Sequence, residues 1–315
     1  MSDIRIAVAQ FEPKDGDKTY NLSVIDKLTS EAKSKGAEVV CFHELSITAY
    51  TFLKDLTLVQ IRSLSEKVPD GKSCQALIDI AKKHDVTILA GLVENDDESL
   101  FNTYVCVDGA GLKARFRKIH PFISKYLASG DEYVVFEIKG WKCGILICYD
   151  NNVIENVRAT TLLGAEIIFA PHVTACTPSA MPGRGYVDDK LWQNRKKDPV
   201  PLRQEFDGPK GRGWLLRWLP ARAYDNGVYY AFTNPIGYDG EHLKNGNAML
   251  LDPYGEILSE VRSFEDAITT ATLTKEKLTL AGGYRYRNAR KPELYGEILS
   301  AAHQSKTKPV WMKND

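Results

Sequence analysis

Apolar positions along this chain recur at two spacings that alternate from one end to the other. Residues 4–9, 38–42 and 86–93 are short, largely aliphatic runs bounded by polar or turn residues, which predicts strands. Between them, residues 24–32 and 73–84 space their apolar side chains three and four apart, which predicts helices, the first closed by Gly36. The next stretch has no helical spacing. Residues 102–107, 112–118 and 133–138 read as strands joined by short turns at Asp108-Gly109 and near Gly130-Asp131. Strand 142–147, helix 153–163 ended by Gly164, and strand 166–170 restore the alternation. Residues 215–224 read as helical, with a start or kink at Pro220, and 228–233, 248–252, 257–261 and 268–273 as strands.

This mixture of βαβ units and hairpins predicts an α/β protein of helix-covered sheets. The uncovered sheet faces are free to meet each other, giving a four-layer α–β–β–α sandwich. No Pro/Gly/Ser linker or charge block divides the chain, so a single domain over residues 1–282 is expected. Two segments break the pattern. Residues 174–213 are rich in Pro, Gly and both charges and only weakly periodic, so they read as one long functional loop. Residues 283–315 read as a basic, aromatic extension packing on the same domain or on a neighbouring subunit.

Composition narrows the function classes. Lys+Arg 41 against Asp+Glu 41 gives a formal net charge of zero, with no global pull toward nucleic acid or an anionic membrane. No apolar run reaches the length of a membrane span, and the opening Met-Ser-Asp-Ile-Arg-Ile lacks the pattern of a signal peptide. A cytoplasmic protein is expected. The six cysteines show neither metal-ligand spacing nor a disulfide framework, so no metal is expected.

The chemistry centres on Gly144-Ile-Leu-Ile-Cys148-Tyr149-Asp150-Asn-Asn, an apolar run that ends in a thiol followed at once by polar, capping residues. It reads as a buried strand ending in a tight elbow, where backbone N–H groups favour a thiolate and can hold an oxyanion. An isolated cysteine there would more often be a core residue. Two other strand ends change that balance. Glu44 follows one strand in Phe-His-Glu-Leu, and Lys118 ends another in Arg-Phe-Arg-Lys-Ile-His. Glu, Lys and Cys together make a nucleophilic set: Glu44 as general base, Cys148 as nucleophile, and Lys118 with the Tyr149 N–H as oxyanion donors. His172, Asn152 and Trp192 are candidates to line the substrate site. His43 and His120 read as loop hydrogen-bonders and Asp150, Asn151 and Asn152 as helix caps. Arg184, Arg195, Arg203, Arg212 and Arg217 are possible carboxylate binders that more often are simply solvated.

These segments resemble the nitrilase, or carbon–nitrogen hydrolase, superfamily. So do Arg5-Ile-Ala-Val-Ala-Gln10, Ala221-Arg-Ala-Tyr-Asp-Asn-Gly-Val228 and Leu251-Asp-Pro-Tyr-Gly255. The resemblance implies the four-layer sandwich and a Glu44–Lys118–Cys148 triad acting on non-peptide C–N bonds. It also implies no cofactor, and a homodimer or larger even homo-oligomer joined through the outer layers. The expected substrate is a small linear amide or carbamoyl compound, with a nitrile as the alternative; a non-catalytic binding protein on the same fold is the second alternative. One departure stands out. Members commonly carry a second glutamate between the lysine and the cysteine, yet residues 121–130 contain no acid.

Overall fold

The computed structural model describes residues 3–176 and 185–301. Two sheets stack face to face. In the first, strands Ala267–Leu273, Ile4–Gln10, Val39–Cys41, Thr87–Asn95, Leu100–Asp108 and Gly111–Arg117 lie side by side in that order. The second runs Ile257–Glu260, Met249–Leu251, Tyr229–Thr233, Ile167–Pro171, Trp141–Ile145 and Val135–Ile138.

Strand periodicity decides which side chains face which layer. In the first sheet Ile4, Ile6, Val8, Leu89, Tyr104 and Cys106 point into the core shared with the second sheet, where they meet Ile145, Phe169 and Leu250. The alternate residues Ala7, Ala9, Val40, Ile88, Val105 and Val107 turn outward and pack on Val24, Ile25 and Leu28 of helix Lys18–Ser34 and on Leu77 and Ala81 of helix Lys72–His84. Asp17 starts the first of these helices, accepting a hydrogen bond from Tyr20 N at 2.9 Å. Helices Ile154–Leu162 and Leu219–Asn226 cover the second sheet. The four-layer sandwich expected from the sequence is the fold observed.

Three readings change. Residues 174–213 are not one irregular loop: they include helices Asp189–Gln193 and Val200–Asp207 and enter Arg212–Leu215. Trp192, Leu202 and Phe206 close a satellite core with Ile236 and Leu243. Helices of five to eight residues complete too few turns for their periodicity to stand out. The single helix expected over 215–224 is broken, and Pro220 lies in the first turn of Leu219–Asn226, a start rather than a kink. A hairpin, Ile236–Asp239 with His242–Asn245, was not anticipated. In the tail, helix Gly282–Asn288 lies against helix Leu219–Asn226, with the Tyr224 and Tyr286 hydroxyls 3.2 Å apart. Helix Pro292–Ser300 has no buried residue.

The outer helix sits tightly on the second sheet at Gly144, where an added Cβ would lie 2.4 Å from Thr160 Cγ2. Gly144→Ala should therefore lower stability by about 1–3 kcal/mol through overpacking. Urea denaturation checks this, and an unchanged midpoint would show that the helix can shift freely.

Candidate active site

Glu44 and Lys118 come from the first sheet, Cys148 from the second, and each stands just beyond the carboxyl end of a strand. Val39–Cys41 and Thr87–Asn95 pair in parallel, and two successive antiparallel pairings return Gly111–Arg117 to the same direction, so the ends that carry Glu44 and Lys118 share one edge. Glu44 is fully buried. Its Oε1 accepts from Lys118 Nζ at 2.6 Å and from Asn102 Nδ2 at 2.6 Å, while Oε2 accepts from Val173 N at 3.2 Å. The backbone here follows a tight path. Leu45 has a φ of 46°, and a Cβ on Gly91 of the neighbouring strand would fall 2.3 Å from the Leu45 nitrogen. Only glycine lets that strand pass so close.

Lys118 is equally buried, with its ammonium between the ring faces of Phe122 at 4.9 Å and Tyr50 at 5.4 Å. Burial by itself works against its charge. Glu44, the Cys148 sulfur and Asp150 outweigh that and hold its pKa above the ordinary 10.5. Phe122 lies within the stretch that lacks a second acid, so an aromatic face meets the ammonium there.

Cys148 is 5% exposed and has a φ of 49°, the left-handed conformation that a non-glycine residue adopts at a cost of about 1–3 kcal/mol. The expected elbow is real, but a 3₁₀ turn over Cys148–Asn151 intervenes before the helix starts at Ile154. Neighbouring side chains brace the turn. Asn151 Nδ2 donates to Leu146 O at 2.7 Å and to Cys148 O at 3.2 Å, and its Oδ1 accepts from the Tyr230 hydroxyl at 2.7 Å. Asp150 accepts from Ile147 N at 3.3 Å, His120 N at 2.9 Å and Ile119 N at 3.3 Å, which ties the cysteine elbow to the lysine segment. The Cys148 Sγ lies 4.0 Å from Val173 O, so one residue receives the thiol at its carbonyl and presents its N–H to Glu44.

The remaining candidates divide. The structure brings Glu44, Lys118, Cys148 and the backbone of Tyr149 together, with the Tyr149 side chain 43% exposed at the rim. His172 is fully buried between Trp218 and Phe232, its Nδ1 2.9 Å from Ala170 O, so it belongs to the packing behind Val173. Asn152 ends the 3₁₀ turn, and its carbonyl accepts from Arg222 Nη2 at 3.1 Å. Trp192 is buried in the satellite core, with Arg195 stacked on it at 3.7 Å. Arg212 is paired with Glu260 at 2.8 Å and Arg203 packs on Phe264, so both have structural partners. Arg217 is exposed, and Arg184 lies outside the described residues. His43 touches the Glu44 carbonyl at 3.0 Å; burial pushes its pKa down to about 4, which keeps it neutral. His120 pairs with Asp150 at 2.9 Å. Sequence reasoning missed Asn102 and Val173. Asn102 is a strand residue 58 positions from Glu44, and Val173 acts through its backbone, so neither carries a local signal. Among the described residues no three His, Cys, Asp or Glu side chains gather as a metal site.

Lys118→Met removes the ammonium and leaves the Glu44 carboxylate buried, so a loss of about 3–5 kcal/mol in stability is expected, with much of it recovered when Glu44→Gln is added. Because the folded pKa of Lys118 is raised, the pair's contribution is fully present below pH 10.5 and declines as pH rises through the folded value. Denaturation of the single and double variants checks the coupling; equal stability of wild type and Lys118→Met would remove it.

The carbon–nitrogen hydrolase family model matches residues 5–282. A nitrilase from Pyrococcus abyssi is 27% identical over 273 residues, covering 86% of this chain and 89% of its own length. A 2-oxoglutaramate amidase from Bacillus subtilis is 28% identical over 262 residues, covering 81% and 85%. Among solved structures, a double mutant of the amidase from Nesterenkonia sp. AN1 in complex with acrylamide matches with a TM-score of 0.70 at 20% identity. That match covers 95% of this chain and 98% of the other, and it is a likeness of fold. With the family model spanning nearly the whole chain, this protein belongs to the carbon–nitrogen hydrolase family.

Proposed function

We propose that the protein hydrolyses a small linear amide or carbamoyl compound through a thioester on Cys148. The observation that carries this reading is the buried Glu44–Lys118 pair, which meets the Cys148 elbow at Val173. Glu44 takes the thiol proton as Cys148 attacks the carbonyl carbon. Lys118 and the Tyr149 N–H stabilise the oxyanion, and the proton is passed to the departing nitrogen. Ammonia or an amine leaves. Glu44 then removes a proton from water, which attacks the thioester and releases the acid. Amidase names among the relatives support the amide; the nitrilase name of the Pyrococcus abyssi relative keeps nitriles in the test.

An ammonia-release screen over aliphatic amides, N-carbamoyl amino acids and nitriles identifies the substrate class. On the best substrate, Cys148→Ala should abolish turnover without unfolding, and Glu44→Gln should lower kcat by orders of magnitude. Lys118→Arg should fail too, because a planar fork does not replace a compact ammonium. Substantial activity in Cys148→Ala would sink the mechanism.

We also propose that the chain forms a homodimer or larger even assembly through the helical layer over the second sheet. Ile154, Leu162, Leu163 and Tyr224 are exposed there. Light scattering should give an even multiple of the 35.3 kDa chain, and Leu163→Glu should shift it toward monomer. A monomeric wild type overturns this assembly. We further propose a cytosolic location, which the six cysteines, none of them in a disulfide, support.

A further inference from the structure

Tyr50 carries a polar atom that the fold leaves unused. The residue is 2% exposed, and its hydroxyl is buried with no hydrogen-bond partner among the described residues. A buried hydroxyl without a partner is costly, and tyrosine usually satisfies it. Phenylalanine would fill the same space in this apolar cluster, with Leu45, Ile123 and Val173 as neighbours.

The position of the ring gives the oxygen a use. Its centroid is 5.4 Å from Lys118 Nζ, and it packs in the same cluster as Val173, whose backbone meets both Glu44 and Cys148. The residue is held from behind: Asp239 Oδ1 accepts from Tyr50 N at 3.0 Å and from Thr51 N at 2.9 Å. Burial, then the charges of Glu44, Cys148, Asp239 and Asp150, keep the hydroxyl protonated, so it offers one donor and free lone pairs near the triad.

An amide held for attack by Cys148 directs its oxygen to Lys118 and the Tyr149 N–H. Its nitrogen still carries N–H donors into a site walled by buried side chains, and those donors need an acceptor. We propose that the Tyr50 hydroxyl accepts a hydrogen bond from the leaving-group N–H of the bound substrate and so selects amides over esters of the same acyl group. This inference rests on the amide-hydrolase reading above. An ester presents no such donor, only a weakly accepting alkoxy oxygen, so it gains far less from the Tyr50 hydroxyl.

The test compares wild type with Tyr50→Phe on propionamide and on methyl propionate, together with thermal denaturation. The expected result is a fall of roughly tenfold to a hundredfold in kcat/KM for the amide, the worth of one hydrogen bond in a buried site. The ester rate should stay within about twofold, and Tm should be unchanged or higher, because the lost oxygen had no partner. An equal loss on both substrates, no loss on the amide, or a Tm lowered in step with activity would each overturn the inference while leaving the hydrolase reading intact. A wild type that turns over neither compound would count against amide hydrolysis at this acyl size, and against the Tyr50 assignment with it.

Discussion

A carboxylate and an ammonium, both withdrawn from water and 2.6 Å apart, set the terms for the rest of this structure. Desolvating two charges costs several kcal/mol per ion, and their attraction offsets this only when the remaining hydrogen-bonding capacity is filled. The fold fills it with Asn102 from a neighbouring strand, the Val173 N–H from the opposite sheet, and two aromatic faces around the ammonium. The close strand pass at Gly91 and the left-handed turn at Leu45 follow from seating Glu44 at this depth. A surface pair would need none of this, but it would also stay solvated and be a poorer proton store.

The second sheet answers with strain. Cys148 holds a left-handed backbone, and five hydrogen bonds between the Asn151 and Asp150 side chains and the backbone of the elbow and the lysine segment fix it there. Strained positions persist only where surroundings over-determine them. Here those surroundings link the two halves of the site: Asp150 holds the backbone of the lysine segment, while Val173 holds Glu44.

Glu44, Lys118 and Cys148 were legible in the sequence because each follows a strand whose apolar pattern is unambiguous. A polar residue directly after such a strand has a known address at the sheet edge. Asn102, Val173 and Tyr50 lacked that address. Asn102 lies inside a strand that reads only as core, Val173 contributes peptide atoms that no side-chain chemistry announces, and Tyr50 reaches the site from a loop. The hairpin Ile236–Asp239/His242–Asn245 was missed because its second strand, His-Leu-Lys-Asn, has no β-branched residue. The Asp239-Gly240 pair, with Gly240 at a φ of 60°, was the available cue. In the same way, the charged residues of 174–213 hid a small core, since Leu202 and Phe206 make only a single i,i+4 pair in a short helix and Trp192 belongs to a different one.

Because the acid and the lysine belong to one sheet and the thiol to the other, the site exists only in the packed sandwich. The Tyr104 and Thr233 hydroxyls, one from each sheet, converge on Phe42 O at 2.5 and 2.8 Å, just before Glu44. The core between the sheets therefore acts as the jig for the chemistry. Its side chains interdigitate at near-crystalline density and resist small displacements. In the proposed hydrolysis, a shift of about 1 Å between Cys148 and Glu44 would cost on the order of a hundredfold in rate. Packing at Phe169 or Leu250, far from any polar atom of the site, thus sets the alignment of Cys148 against Glu44 as surely as the hydrogen bonds that hold each residue in place.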